Sequence, residues 1–191
     1  MSLLDAVMRR RSQPLVTAEA PSHDELLPLV KAAACAADYG ALTPWRLIEL
    51  RGDARARLGT ALAEASGASA ADAVDVVAAA KTAANIAAKP MRAPLLIAVV
   101  VTLQPSPKVA EWEQEAGAAG VAHILSLLLD DAGWGVMWRS GRLTRSQPVR
   151  VLHELADNEQ LLGWLYVGGR PEREKPGERA VFSAEHYLSV L

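Results

Sequence analysis

The chain has 191 residues, of which 51% are hydrophobic and 22% are charged. This length and apolar content fit one domain with a sizeable core and exclude a disordered chain. A net charge of −2 provides no basic field that would attract nucleic acid or anionic lipid. The only cysteine, Cys35, excludes an internal disulfide framework and a cysteine-based zinc site, so no metal is expected. The aromatic residues are unusual, with five Trp against one Phe.

Nothing in the sequence predicts a membrane segment. The longest apolar run, Leu95–Leu103, is much shorter than the roughly 20 residues that span a bilayer. At the N-terminus the basic residues follow the apolar stretch, which is the reverse of the order in a signal peptide. We therefore expect a soluble, cytoplasmic protein with no membrane partner.

Hydrophobic periodicity and helix breakers predict ten elements in chain order. Helices are expected over 2–11, 23–37, 53–65, 70–88, 109–131 and 148–156, and strands over 46–50, 95–101, 135–138 and 161–167. The strand over 95–101 is continuously apolar, which is typical of a central strand buried on both faces. This order predicts an α+β or α/β layered domain, with one mixed sheet and helices on both of its faces.

The helix over 109–131 gives the strongest helical signal. Between Ala116 and Leu129 it is apolar almost all round, interrupted only by His123 and Ser126. Such a helix must be covered on every side, by the core or by a second subunit. The tail over 170–191 ends in VFSAEHYLSVL, which is too apolar for a free tail, so we expect it to pack on another surface.

The residues Arg10, Arg11 and Ser12 directly follow the first helix. Guanidinium groups can hold a phosphate through parallel hydrogen bonds, and a serine hydroxyl adds a third donor. Basic side chains in this place also complement the C-terminal end of a helix while remaining solvated. Both interpretations stay open on the local sequence.

A second candidate segment, Trp138, Arg139 and Ser140, leads from a strand into a turn closed by Gly141. Such a turn can direct backbone N–H groups and an aromatic face at a flat ligand, or it can simply end a strand. His123 has no second ligand at helical spacing, which favours a core or interface histidine over a metal ligand. Cys35 on its alanine-rich helix is expected to be a small buried residue.

Taken together, these pieces resemble the FMN-dependent nitroreductase family, in particular its small single-domain bacterial members. The resemblance rests on order and spacing along nearly the whole chain. The segments that carry it are Arg10-Arg11-Ser12, Thr43-Pro44-Trp45, Arg92-Ala93-Pro94, Trp112-Glu113-Gln114-Glu115, Trp138-Arg139-Ser140-Gly141 and Gly163-Trp164-Leu165-Tyr166-Val167-Gly168.

The resemblance implies a single three-layer sandwich over residues 1–191 with a long central helix at a homodimer interface. It also implies FMN in a groove made by both subunits, and a C-terminal arm over 170–191 that packs on the partner. Residues 10–12 would hold the FMN phosphate or ribityl chain. Residues 138–140 would border the isoalloxazine, with a backbone N–H near N5.

The resemblance also identifies departures from the family pattern. Close relatives place an arginine and a histidine, contributed by the partner subunit, at the positions of Cys35 and Tyr39, and many have a further basic residue where Pro14 stands. Arg173 and Lys175 are the candidate replacement cations.

The implied activity has two steps, in which NAD(P)H gives a hydride to FMN and a nitroaromatic, quinone or similar small molecule then takes the electrons. No side chain is required as an acid or base, so no catalytic residue is assigned. NADH and NADPH are equally compatible with the sequence. The missing basic residues motivate an alternative, a non-catalytic flavin-binding or flavin-sequestering dimer of the same fold.

Overall fold

A computed structural model describes residues 2–67, 76–172 and 182–191 of the chain. Its helices are α1 (Leu3–Arg9), α2 (His23–Ala33), α3 (Asp53–Ala65), α4 (Val76–Ala87), α5 (Glu111–Asp131) and α6 (Gln147–Leu152). Its strands are β1 (Trp45–Leu50), β2 (Leu95–Thr102), β3 (Trp134–Arg139) and β4 (Glu159–Gly169). The predicted order of helices and strands is confirmed. The first part of the predicted helix over 70–88, and the candidate cations Arg173 and Lys175, lie outside the described residues.

The four strands form one sheet in the order β1-β2-β4-β3, in which every neighbouring pair is antiparallel. The expected mixed sheet is therefore wrong for the described strands. Because β2 and β3 both pair antiparallel with β4, they run in the same direction, joined through the single long helix α5. β4 inserts between them, so the two parallel strands never become neighbours.

The sheet divides the core into two layers, as the predicted three-layer architecture requires. All of residues 95–101 in β2 are buried. The odd positions of 95–99 pack with α2 and α5, and the even positions of 96–100 pack with α3 and α6. This alternation places every second side chain of a strand on the same face. The α+β sandwich with helices on both faces is confirmed.

Two helices end earlier than the sequence predicted. After α2 the amides of Cys35 and Ala36 each donate to a carbonyl three residues back, so the last turn tightens and the helix stops at Ala33. Cys35 consequently lies beyond the helix and is exposed, contrary to the expected burial. After α6 the chain turns at Glu154, whose φ of 51° is incompatible with a continuing right-handed helix.

Two apolar surfaces are not covered by described residues of the same chain. On α5 the side chain of Trp112 is 71% exposed, and His123 is also exposed. In the segment over 182–191, Phe182 stacks on Tyr187 with ring centroids 4.7 Å apart, yet both rings are mostly exposed. Within the described residues, neither surface has the covering that the sequence led us to expect.

An ion pair between the half-exposed Arg46 of β1 and the buried Glu159 of β4 joins these two strands across β2. Arg46 donates to both carboxylate oxygens of Glu159, at 2.6 Å from Nε and 2.8 Å from Nη2. The hydroxyl of Thr102 and the amide of Ala156 donate to the same carboxylate. The hydrogen bonds from Arg46 are the largest cause that lowers the pKa of Glu159 to about 2, against a smaller opposing effect of burial.

Glu159→Gln should lower the free energy of unfolding at pH 7 by about 2 kcal/mol, a value reduced by the partial exposure of Arg46. In the wild type this contribution is complete above about pH 4.5 and disappears as pH falls towards 2, because the unfolded carboxyl is protonated first. Urea unfolding across this pH range measures both effects. Glu115→Gln, which breaks an exposed pair with Arg145, is the control and should cost less than about 0.5 kcal/mol. Equal pH slopes for wild type and Glu159→Gln would contradict the assignment.

Candidate functional site

A cleft of about 620 Å³ opens where β3 leaves the sheet. Its walls come from the end of β3 and the turn after it, from β4, from the ends of α3 and α4, and from a 3-10 turn over Lys89–Arg92. Trp138, Arg139 and Ser140 all line this cleft. The structure therefore brings one predicted ligand segment to a concave site whose volume suits a small molecule.

A bulge in β4 allows the end of β3 to reach this position. The register with β2 shifts so that Val99 pairs with Gly163 and Val100 with Leu161, which leaves Leu162 as the additional residue. Gly163 has a φ of 140°, and a Cβ there would lie 2.5 Å from the carbonyl oxygen of Arg139. Only glycine permits this approach, so the bulge and the glycine together set the position of the cleft wall.

Two buried donors at the cleft have no hydrogen-bond partner among the described residues. These are Nε1 of Trp138 and Nε of Arg139. By contrast, Nε1 of Trp164, in the same cleft, donates to Nε2 of His153 at 3.0 Å. Buried donors in folded proteins are nearly always paired, so these two N–H groups mark a place where hydrogen-bond acceptors are missing. The Nε atoms of Arg55 and Arg170, outside the cleft lining, are also unpaired among the described residues.

The cleft is positively charged. Lys89, Arg92, Arg139 and Arg142 line it, and none of its described lining residues is acidic. No ion pair joins these four cations to any residue in the described ranges. The guanidinium of Arg139 lies 5.1 Å from the centre of the Tyr166 ring, in a cation–π contact. Burial raises the pKa of Tyr166, and the charges of Arg139 and Arg92 partly oppose that shift.

Sequence reasoning missed Lys89 and Arg142 as site residues, and it used Arg92 only as part of a motif before a strand. Residues 89–94 lie between the predicted helix over 70–88 and the predicted strand over 95–101, in a connection where Pro90 and Pro94 bracket a loop. That this connection lines the same cleft as the turn over Arg142–Arg145 is a feature of the tertiary structure, so local patterns carried no sign of it. The one available signal was two basic side chains immediately before a fully buried strand.

Residues 10–12, the other predicted segment, do not line the cleft. Nη1 of Arg11 donates to the carbonyls of Met8 at 2.8 Å and Arg10 at 3.1 Å, so this side chain closes the end of α1. For Arg11 the structure therefore shows the second of the two interpretations, in which a basic side chain complements the C-terminal end of a helix. Arg10 is half-buried and Ser12 is exposed.

The segment over 10–12 nevertheless runs close to the cleft wall. The amide of Gln13 donates to the carbonyl of Val136 at 3.0 Å, which pairs the chain with the outer edge of β3. Trp138 stands two residues further along the same strand, a rise of roughly 7 Å. Residues 10–12 therefore lead into a segment that pairs with the outer edge of β3, the strand that ends at the cleft.

Cys35 and Tyr39 lie outside the cleft of their own chain. Cys35 is exposed, and the Tyr39 ring is 64% exposed. Ala36, between them, packs beside Gly120 on α5, so this loop borders the uncovered surface of that helix. Any contact of these two residues with a ligand in the cleft requires a second subunit.

The described ranges contain no group of three or more His, Cys, Asp or Glu side chains that could hold a metal ion. Among the described helices, none is both long enough and apolar enough to cross a membrane.

Comparison with known proteins gives a direct match to one family. The model of the nitroreductase family matches residues 7–169. The chain belongs to the nitroreductase family. Escherichia coli K12 has a relative, YdjA, named as an NAD(P)H nitroreductase, which is 32% identical over 168 residues and covers 88% of both chains. A Haemophilus influenzae relative with the same named activity is 26% identical over 192 residues and covers 100% of both chains.

Solved structures of nitroreductases share the fold. A nitroreductase-like protein from Bacillus cereus has a TM-score of 0.83 at 20% identity, covering 100% of this chain and 96% of that one. The FMN and NADPH-dependent nitroreductase NfnB of Sphigopyxis sp. strain HMH has a TM-score of 0.75 at 17% identity, with 100% and 99% covered. A Bacteroides fragilis nitroreductase with bound FMN has a TM-score of 0.73 at 15% identity, again with 100% and 99% covered. At these identities the likeness establishes the fold alone.

Gly163→Ala should destabilise this nitroreductase strongly, because the new Cβ meets the carbonyl of Arg139 and the indole nitrogen of Trp138. Gly133→Ala is the matched control, because Gly133 also has a positive φ, of 91°, yet has no atom within 4 Å of an added Cβ. We expect the control to cost about 1 kcal/mol and Gly163→Ala to cost about 2 kcal/mol more, as measured by urea unfolding. Equal losses in the two variants would show that the close approach does not constrain the site.

Proposed function

We propose that this protein is an FMN-dependent oxidoreductase that passes electrons from NAD(P)H to a nitroaromatic, quinone or similar acceptor in two steps. The cleft carries the proposal, because the unpartnered donors of Trp138 and Arg139 lie there beside unpaired cations. The family supports it, since relatives are named as NAD(P)H nitroreductases and structures of the same fold are described as FMN-bound or FMN-dependent. We place the reaction in the cytoplasm, where NAD(P)H is available.

The residues present fit a flavin. Trp138, Trp164 and Tyr166 give the cleft aromatic surface for a flat ring, and the free N–H groups can donate to its ring nitrogens and carbonyls. The cleft volume of about 620 Å³ is within the usual range for small-molecule sites. A reduced flavin carries a negative charge and requires a positive charge nearby. We assign that role to Lys89 and Arg92.

When bound, FMN takes a hydride from NAD(P)H and passes two electrons to the acceptor. The guanidinium of Arg139 is held against Tyr166, and its buried Nε–H has no hydrogen-bond partner among the described residues. Lys89 and Arg92, the two cations assigned to the flavin, favour the negative charge that arrives with each hydride. No carboxylate or imidazole is present among the described lining residues, and we assign the supply of protons to solvent.

We assign Arg10 and Ser12 to the phosphate or ribityl end of FMN, because they lie along the outer edge of β3 beside the cleft. Arg11 contributes less to this site than the sequence suggested, since its guanidinium is bonded to carbonyls at the end of α1. Cys35 and Tyr39 are assigned to a flavin in the partner's cleft. Neither Cys35 nor Tyr39 carries a positive charge. We assign that charge instead to Lys89 and Arg92, which belong to the same chain as the cleft.

We propose a homodimer that covers the exposed face of α5. Trp112, Ala116 and His123 are exposed at helical spacing along this face, with small residues between them. Helix α1, which packs against α5, also exposes a large apolar surface. The exposed apolar residues of α1 are Leu3, Leu4, Val7 and Met8. Contiguous apolar surface of this kind is typical of a subunit interface, and the apolar end over 182–191 would extend it.

Purified protein should bind FMN with quenching of flavin fluorescence, and anaerobic NADPH or NADH should bleach the visible absorbance until a nitroaromatic restores it. Arg10→Ala should weaken FMN binding by about 1.5–3 kcal/mol, as expected for the loss of a charge-assisted hydrogen bond. The control Arg145→Ala removes an equal charge that lies outside the cleft lining. Absence of quenching would refute the proposal, and binding without bleaching would favour the flavin-sequestering alternative.

Ala116→Glu should convert the dimer to a monomer, because it buries an unpaired carboxylate in the proposed α5 interface. Light scattering after size-exclusion chromatography measures the mass directly. Val151→Glu, on exposed α6, adds the same charge at a position 65% exposed and should leave the dimer intact. A monomeric wild type would contradict the proposed assembly.

A further inference from the structure

The charge in the cleft exceeds what the proposed cofactor accounts for. Four cations line it, and the described lining residues contain no carboxylate. FMN brings about two negative charges on its phosphate and one more on the ring when it is reduced. Even if the cleft cations hold all of these, about one positive charge remains. If Arg10 serves the phosphate, about three remain.

Arg142 stands apart from the other three cations of the cleft. Arg139 packs on Tyr166, and Lys89 and Arg92 share one short turn. Arg142 stands on a different element, the turn over Arg142–Arg145, and it is exposed at the cleft. No hydrogen bond or ion pair to another described residue holds its guanidinium, in contrast to Arg145 on the same turn, which pairs with Glu115.

We propose that the electron acceptor of this cleft is a nitroaromatic that carries a carboxylate, and that Arg142 binds that carboxylate. This inference rests on the proposed function and specifies that the acceptor is negatively charged. A guanidinium matches a carboxylate through two parallel hydrogen bonds. Aromatic walls suit the ring, and a cleft of one charge sign raises the local concentration of an oppositely charged substrate.

The reaction balances with the reductant already named. One NAD(P)H supplies two electrons as a hydride, and solvent supplies one proton. The nitro group loses one oxygen as water and becomes a nitroso group, while the carboxylate is unchanged. The net change is NAD(P)H + H⁺ + Ar–NO₂ → NAD(P)⁺ + Ar–NO + H₂O.

The first test is equilibrium binding without an electron donor. Quenching of tryptophan fluorescence by 4-nitrobenzoate and by its methyl ester reports occupancy, because Trp138 and Trp164 both line the cleft. We expect Arg142→Gln to weaken 4-nitrobenzoate about tenfold and the ester less than about twofold. Arg142→Lys should restore part of the loss, and raised salt should weaken only the anion. An equal effect on both ligands, or none, would overturn the proposal.

The second test separates the two half-reactions by stopped flow. Because the ester is intrinsically the easier to reduce, the criterion is the change on mutation and not the absolute rate. Arg142→Gln should slow reoxidation by 4-nitrobenzoate about tenfold while leaving reoxidation by the ester and reduction by NADPH nearly unchanged. Arg145→Gln is the control, because it removes a charge from the same turn outside the cleft lining.

The outcomes of the two proposals are distinguishable. Slower reduction by NADPH in Arg142→Gln would assign this arginine to the electron donor and overturn the carboxylate assignment. Intact FMN binding and bleaching with no preference for the anion would refute only the further inference. Failure to bind FMN would refute the proposed function, and the donor-free titrations would still decide whether Arg142 binds a carboxylate.

Discussion

The close contact between β3 and β4 at Gly163 is the constraint on which the site depends. Where β4 bulges, its glycine adopts a φ of 140° and leaves room for the backbone of Arg139 and the indole of Trp138. Pairing between the two strands ends there, at Arg139 opposite Trp164. The chain then leaves the sheet through Ser140 and turns over the cleft. A bulge that ends pairing in this way redirects side chains out of a regular ladder, and here it directs them to the cleft.

The distribution of charge shows why a protein with net charge −2 can have a positive cleft. Glu159, 6% exposed, is bound by Arg46, and Asp130, 3% exposed, is bound by Arg170 at 2.7 Å. Both carboxylates are satisfied within the core, where an unpaired charge would cost several kcal/mol. The cations at the cleft have no such partners among the described residues. The structure therefore uses its buried acids for stability and leaves its basic side chains open to a ligand.

The sequence predicted the elements well and the site in part, for physical reasons that differ. Strand β2 and helix α5 were predicted because burial on all sides imposes a continuous apolar run that is visible locally. Sheet direction was wrong because the insertion of β4 between two parallel strands is a tertiary choice. The turn after Trp138 was predicted because turn chemistry is local, and this segment lines the cleft. Lys89 was missed because only the folded chain brings it to the same cleft as a turn more than 50 residues away.

The excess of tryptophan over phenylalanine gains a physical explanation from the two indoles in the cleft. Trp164 is bonded to His153, whose opposite nitrogen lies 2.8 Å from the carbonyl of Val149. Since Nε2 of His153 accepts, its Nδ1 must carry the proton and donate, so the ring is neutral; burial lowers the pKa of His153 and favours that form. The hydrogen bond to His153 thus holds the Trp164 ring in place as part of the cleft wall. Trp138 packs edge-on against His123 at 4.9 Å, yet its N–H has no described partner. Phenylalanine could supply either aromatic surface but neither donor. The indole of Trp164 uses its donor within the chain, and under the proposed function the donor of Trp138 is left for the flavin.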